Sequence, residues 1–390
     1  MEVLEADLAQ RAEAGLRRRL KVAQAAHSPW VSLDGRRLLN LASNNYLGLA
    51  GDPALIEAMT AATVSGGCGA TASRLIVGNH ADYREVEDYL ARFKGIGAAL
   101  LFPSGYHANV GTISALAGRG DVVFSDKLAH ASIIDGIVLS RADHKRFRHN
   151  DSEHLSHLLH KYRPEYRRAL IVTESVFSMD GDLAPLVELV ALKEKYNAWL
   201  MVDEAHGAGV FGSQGQGLVH ALGLGTTVEV QMGTFSKAFG CVGGYIAGAN
   251  ALIDYLVNSS RSFIYSTGLP PGVVAAIGAA IRAVERAQAR RKRLREYADR
   301  FRRLLQAGGL NTGASTTQII PAIGGEVGVT NRWAELLQEA GVAAVPIRPP
   351  TVPSGRARLR FSLTSEMAWN DLEWAAGRII AMARAAGVIS

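Results

Sequence analysis

The residues best suited to chemistry in this 390-residue chain gather in a few short segments. Lys237 lies in Thr234-Phe235-Ser236-Lys237-Ala238-Phe239-Gly240, and Asp203 and His206 share Asp203-Glu204-Ala205-His206. A lysine in a loop rich in glycine and hydroxyls forms an imine with an aldehyde once burial or a cationic neighbour lowers its pKa enough to free the amine. An aspartate held against a pyridine nitrogen keeps that nitrogen protonated and makes the ring an electron sink for a carbanion. A flat imidazole can stack on such a ring. Ser104-Gly105-Tyr106, at a predicted helix start, supplies backbone N–H groups suited to a phosphate. Asp203 and Lys237 stand 34 residues apart, and with His206 and Thr234 the set fits pyridoxal phosphate. Asp203 or His206 alone would read equally well as a satisfied polar group of a core; the combination with Lys237 favours a site.

These segments need a frame that brings them to one place. Short apolar strands are expected at 98–102, 121–124, 144–147, 169–174, 198–202, near 228–232 and at 243–248. Helix-length segments separate them at 52–64, 80–94, 105–117, 130–140, 151–162 and 184–196. That alternation predicts an α/β fold, a mostly parallel sheet with helices on both faces. Ligands of such sheets collect beyond the carboxyl ends of the strands. The predicted ends are Pro103-Ser104-Gly105, Ser125-Asp126, Glu174-Ser175, Asp203-Glu204 and Gly233-Thr234, so Asp, His, Ser, Thr and Lys share one edge. After Pro270-Pro271, a long helical region (272–306), strands at 317–322 and 357–363 and helices at 330–340 and 367–386 predict a smaller α+β domain. An amphipathic helix over 1–25 and a strand-turn-strand around Asp34-Gly35 complete the reading. The expected divisions are 1–49, packing with the small domain, 50–275 as the large cofactor domain and 276–390 as the small one.

Other chemistries fail on context. Gly207-Ala208-Gly209-Val210-Phe211-Gly212 is formally G-x-G-x-x-G, but it continues into Ser213-Gln214-Gly215-Gln216-Gly217, a loop where a dinucleotide fingerprint needs a helix. Asp203-Glu204-Ala205-His206 resembles the acidic box of a nucleotide-driven helicase, yet no Gly-Lys dipeptide occurs to build a phosphate loop. His154, His157 and His160 read as an exposed polar face behind an Asn150-Asp151 cap, and no metal is expected. The net charge of +6 is concentrated between Arg282 and Arg303, where ten basic residues face Glu285, Glu296 and Asp299. Leu294, Tyr297, Ala298, Phe301, Leu304 and Leu305 recur there at helical spacing, so this is an amphipathic helix with a wet basic face, a surface suited to an acidic carrier protein. It carries no nucleic-acid motif. Cys68 and Cys241 are read as free thiols of a reducing cytoplasm. The N-terminus lacks the apolar run of a signal peptide, and Val273–Ile281 is far short of the roughly 18 residues of a membrane span.

With these residues in view, the chain resembles the α-oxoamine synthases among fold-type I pyridoxal-phosphate enzymes. The likeness runs through nearly the whole chain. It includes Leu41-Ala42-Ser43-Asn44-Asn45-Tyr46-Leu47-Gly48-Leu49, Asp126-Lys127-Leu128-Ala129-His130-Ala131-Ser132, Phe177-Ser178-Met179-Asp180-Gly181-Asp182 and Phe263-Ile264-Tyr265-Ser266-Thr267. Among four branches of that family, the run Arg348-Pro349-Pro350-Thr351-Val352-Pro353 is most similar to the one joining L-alanine to a pimeloyl thioester, on coenzyme A or acyl carrier protein, towards biotin. A sister branch joins glycine to acetyl-CoA; a non-catalytic binding module on the same fold is the reading from another class. The resemblance implies a fold-type I transferase, a cytoplasmic homodimer with shared sites. It implies Lys237 as the imine-forming lysine and proton shuttle, Asp203 at the pyridine nitrogen, His206 and Ser178 at the ring hydroxyl and His130 stacked on the ring. Gly105, Tyr106 and Thr234 would hold the phosphate, joined by Ser266 and Thr267 of the partner subunit. Glu174 would support the site, Arg348 and Asn44 would bind the amino-acid carboxylate, and Arg17 the acyl substrate. Gly66-Gly67-Cys68-Gly69-Ala70-Thr71-Ala72-Ser73-Arg74 departs from the usual family pattern, and with it the lid geometry and the facing of Cys68.

Overall fold

Two successive positive φ angles, 49° at Asp34 and 82° at Gly35, close a tight two-residue turn between antiparallel strands. Such angles are rare outside glycine, asparagine and aspartate, so Asp-Gly between apolar runs is a strong local hairpin signal. The computed structural model describes Met1–Ser390. From the N-terminus come α1 (Glu2–Glu13), β1 (Ala23–Gln24), β2 (Trp30–Leu33), β3 (Arg36–Asn40), α2 (Pro53–Gly66), α3 (Asp82–Lys94), β4 (Ala98–Phe102), α4 (Gly105–Leu116), β5 (Val122–Asp126) and α5 (Ala131–Ser140). The middle holds β6 (Asp143–Phe147), α6 (Ser152–Tyr162), β7 (Ala169–Glu174), α7 (Leu186–Lys195), β8 (Trp199–Asp203), α8 (Leu218–Ala221), β9 (Val230–Thr234), β10 (Gly244–Gly248), α9 (Asn250–Ser259) and α10 (Arg261–Ile264). Last come α11 (Pro271–Arg286), α12 (Gln288–Ala307), β11 (Ile319–Gly325), α13 (Val327–Glu339), β12 (Val342–Ala343), β13 (Val345–Ile347), β14 (Ala357–Ser362) and α14 (Trp369–Ala386).

The chain divides into two units. One comprises Leu49–Phe177 and Leu183–Arg291 and holds a seven-stranded sheet ordered β4-β10-β9-β8-β7-β5-β6. Only β10 runs antiparallel, to both its neighbours, so β4 and β5 to β9 all end on the same edge. Because side chains alternate across a strand, each strand feeds two cores. Leu170, Val172, Met201 and Met232 join one apolar cluster with Ile113 and Ile133; Ile171, Leu200 and Val202 join the other with Leu155 and Leu189. The second unit, Met1–Gly48, Ser178–Asp182 and Lys292–Ser390, carries a four-stranded sheet β1-β2-β3-β12 and a three-stranded sheet β11-β14-β13.

Three expectations change. The N-terminal helix stops at Glu13 instead of 25; none of its residues is buried, and Gly15 turns the chain with φ 66°. The helical region after Pro271 breaks at Ala287, and α11 lies in the unit of the large sheet, so the division falls at Arg291/Lys292 and not at 275/276. Close approach to α2 holds α11 there: a Cβ on Gly272 would sit 2.2 Å from Thr63 Oγ1. The basic run is not uniformly wet. Leu294, Ala298, Phe301 and Leu305 are buried as expected, but so are Arg291 and Arg302. Arg291 donates to the carbonyls of Val284 and Ser213, and Arg302 to Asp299 and the Thr317 carbonyl, so their charges are hydrogen-bonded rather than solvated.

Candidate active site

The carboxyl edge of the large sheet gathers the first set of expected residues. Asp203 ends β8 beside Glu174, which ends β7, in direct register. Both are buried. Asp203 Oδ2 accepts from Asn109 Nδ2 at 2.8 Å, and Oδ1 accepts from the Ala205 N–H at 2.8 Å. Two donors fix the carboxylate plane while leaving acceptor capacity on each oxygen. Asn109 is itself buried and also donates to Ser132 Oγ at 2.9 Å. The spacing from Gly105 to Asn109, one helical turn, was the available signal for this residue, which the sequence reading missed.

His130 caps α5, its Nδ1 paired with Ser132 Oγ at 2.7 Å. Burial, opposed by the Asp203 charge, pushes the imidazole pKa below its ordinary value, and Lys237 lowers it further. The ring is therefore held towards its neutral form, which suits stacking on a cationic ring. Glu174 is pushed well above the usual carboxylate range by burial first and then by the Asp203 charge; a His130 N–H and Lys237 act in the opposite direction. Lys237, in the turn between β9 and β10, is thus within electrostatic reach of both. Buried Phe235, Ala238 and Phe239 anchor that turn, and the Gly240 N–H closes it on the Lys237 carbonyl at 3.0 Å. His206, three residues past the end of β8, is buried as well.

The start of α4 lies on the same edge. Ser104 caps it, its Oγ accepting from the His107 N–H at 3.2 Å, so the N–H groups of Gly105 and Tyr106 have no acceptor within the helix. A Cβ on Gly105 would come within 2.9 Å of Met232 and 3.4 Å of Thr234, and one on Gly244 within 2.6 Å of the Gly105 nitrogen. Glycine at 105 leaves room for the Met232 and Thr234 side chains of β9, and glycine at 244 lets β10 meet the helix start backbone to backbone. Thr234 Oγ1 donates to the Gly243 carbonyl at 2.8 Å and pairs with Ser236 Oγ. The Tyr106 side chain turns to Asp135, whose carboxylate accepts from its hydroxyl and raises its pKa, so the group it turns towards the helix start is its backbone N–H. Ser266 and Thr267 follow α10, where Thr267 bridges Ser73.

A pyridoxal ring fits these groups. The edge offers a fixed carboxylate, an imidazole whose pKa is lowered, a lysine, two uncapped N–H groups and one orphan, Glu174 Oε1, buried without a hydrogen-bond partner.

The second unit holds the other expected residues. Arg360 is buried in β14, and its guanidinium donates twice to Asn44 Oδ1, both at 3.2 Å, and to Ser362 Oγ at 2.8 Å. Its Nε donates to the carbonyl of Ser178. Arg348 instead donates to the Gly15 carbonyl and to Asn331 Oδ1, and burial followed by the nearby charge of Arg18 lowers its pKa. Arg17 is exposed, its N–H bonded to the Arg11 carbonyl. The arginine paired with Asn44 is thus Arg360 and not Arg348, a contact between segments 316 residues apart that no local motif encodes.

Comparison with known proteins places this architecture. The model of the family described as aminotransferase class I and II matches residues 36–379, and the chain belongs to that family. It is a fold-type I enzyme with pyridoxal phosphate as cofactor, and within that class a pyridoxal-phosphate-dependent acyltransferase of the α-oxoamine synthase kind. A protein of Bacillus cereus (strain Q1), provisionally named 8-amino-7-oxononanoate synthase, is 51% identical over 381 residues, covering 98% of this chain and 96% of its own. A serine palmitoyltransferase variant from S. paucimobilis, solved with bound pyridoxal phosphate and myriocin, is 34% identical with a TM-score of 0.94, covering 99% of this chain and 98% of its own. The 8-amino-7-oxononanoate synthase of Francisella tularensis is 28% identical with a TM-score of 0.78, covering 89% and 98%. No helix is long and apolar enough to cross a membrane.

Proposed function

We propose that this chain joins L-alanine to a pimeloyl thioester, releasing carbon dioxide and the free thiol and forming 8-amino-7-oxononanoate, a precursor of biotin. The observation that carries the reading is the 51% identity, over 98% of the chain, to a relative provisionally given that name. The residues are assigned accordingly. Asp203, oriented by Asn109, would hold the ring nitrogen, His130 the ring face, and His206 and Ser178 the ring hydroxyl. The N–H groups of Gly105 and Tyr106, with Thr234, would hold the phosphate, joined by Ser266 and Thr267 of the partner subunit. When bound, the cofactor supplies an electron sink for negative charge at the amino-acid Cα.

Within that arrangement Lys237 Nζ takes the Cα proton, and its turn keeps the amine at the strand edge where the proton is lost. The Cα carbon then attacks the thioester carbonyl, the C–S bond breaks and the leaving thiolate takes a proton from solvent, so Lys237 keeps the proton it took from Cα. Loss of the carboxyl group as carbon dioxide leaves electron density at Cα, which Lys237 reprotonates. Arg360 with Asn44 binds the amino-acid carboxylate, Arg348 assists, and Arg17 meets the acyl chain. The protein works as a cytoplasmic homodimer.

A second reading, condensation of L-serine with a palmitoyl thioester, draws on the TM-score of 0.94 to serine palmitoyltransferase. Comparing kcat/KM for L-alanine with pimeloyl-CoA, L-serine with palmitoyl-CoA and glycine with acetyl-CoA decides among them. The alanine pair is expected to be turned over fastest; preference for either other pair would replace the proposal.

A further inference from the structure

The large sheet has a recess at the edge opposite the cofactor residues, where β7, β8 and β9 begin. A cavity of about 840 Å³ opens there, walled by Ile96, Leu116, Trp199, Val228, Val230 and Leu252. That volume falls within the roughly 300–1,000 Å³ typical of small-molecule sites. β9 runs from Val230 at the recess to Thr234 at the cofactor edge, so the two places stand roughly 13 Å apart at about 3.3 Å per residue.

The polar groups at the recess differ in what they still offer. Both Glu229 oxygens are taken, Oε1 by Lys193 Nζ at 2.7 Å and Oε2 by the Leu200 N–H at 2.8 Å. The Tyr255 hydroxyl donates to the Ala115 carbonyl at 3.2 Å. Arg168 is different. Its guanidinium lies over the Trp199 ring at 5.8 Å, and its Nε stands 3.7 Å from Asp121 Oδ1, beyond hydrogen-bond distance. Asp121 already accepts two hydrogen bonds from Arg167, at 3.1 and 3.0 Å, and one from the Gly118 N–H at 3.0 Å. One carboxylate thus faces two arginines. The mouth keeps a net positive charge whose donor fork is not hydrogen-bonded within the chain, above walls that are mostly aliphatic.

We propose that this recess binds a carboxylate-headed aliphatic chain, the tail among Leu116, Val228 and Leu252 and the carboxylate on the Arg168 fork, the geometry guanidinium favours. The site is separate from the cofactor edge and does not depend on which thioester the enzyme uses.

Calorimetric titration of the holoenzyme with decanoate and with decan-1-ol tests this. One decanoate per chain is expected to bind. Arg168→Gln should weaken decanoate about tenfold, the loss of one charge-assisted contact, and leave decan-1-ol unchanged. Ala251→Trp, which places a ring in the recess from its exposed rim, should remove both, with cofactor absorbance unchanged in each variant. No binding to the wild type, or equal binding to wild type and both variants, would overturn the proposal. Should Ala251→Trp fail to fold, the contrast of decanoate with decan-1-ol in Arg168→Gln decides alone.

Discussion

At Asp203 the arrangement turns on how a single carboxylate is held. Asn109 and the Ala205 N–H donate to its two oxygens, so its orientation is set before any ligand arrives. Asn109→Ala should loosen the cofactor, with an apparent Kd raised by about tenfold, the value of one hydrogen bond to a charged group; absorbance titration with pyridoxal phosphate reads it. Lys237→Ala should lower turnover by about 10²–10⁴-fold or more, the usual contribution of a positioned proton-transfer group, with folding unaffected in circular dichroism. Glu174 makes a pH prediction. Burial and the Asp203 charge raise its carboxyl pKa, so the folded chain keeps a proton that the unfolded chain releases. Between the ordinary carboxylate value and the raised one, the folded state binds more protons, and stability falls as pH rises. Glu174→Gln should flatten that fall, read as the urea midpoint against pH; an unchanged slope would contradict the assignment. Sequence placed Lys237, Asp203 and His206 readily because each sits at or just beyond a strand end within a short motif. Asn109 and Arg360 escaped because their partners are distant in sequence.

Among the elements, the close junction is between the start of α4 and the strands β9 and β10. At Gly105 the Met232 and Thr234 side chains fill the space a Cβ would need, and at Gly244 backbone fills it, 2.6 Å away at the Gly105 nitrogen. Gly244→Ala should therefore cost about 1–3 kcal/mol and displace the N–H groups of the helix start. A lowered Tm together with weaker phosphate binding is expected; an unchanged Tm would show that the junction yields easily. Ser104→Ala should cost about 1 kcal/mol through the lost cap. The strands were legible because buried parallel strands read as short apolar runs between helix-length segments. The N-terminal helix was overextended because its charged, weakly patterned sequence gives no apolar stripe to mark its end. The basic run was read as solvated because a charge pattern cannot reveal that Arg291 reaches the carbonyls of Val284 and Ser213.

Over the whole molecule, the unit bearing the large sheet leaves apolar side chains in water. Ile76 is 74% exposed, Val77 72%, Val138 68% and Leu139 62%. Large exposed apolar side chains in short runs mark contact surfaces more often than isolated ones do, and these are assigned to the proposed homodimer. Light scattering should give twice 41.6 kDa, and Ile76→Glu with Val77→Glu should shift the mass towards one chain and reduce turnover. A wild-type protein of single mass would contradict that assignment. The sequence separated a large and a small part but set the division too early, because the helix 271–286 looks continuous with the basic helix after it while its apolar face belongs with α2. The most direct test of the central claim follows the carboxyl carbon. L-alanine labelled at its carboxyl group, incubated with pimeloyl-CoA and the holoenzyme, should release one labelled carbon dioxide per free thiol and yield unlabelled 8-amino-7-oxononanoate. Thiol release without labelled carbon dioxide, or a product that retains the label, would contradict it.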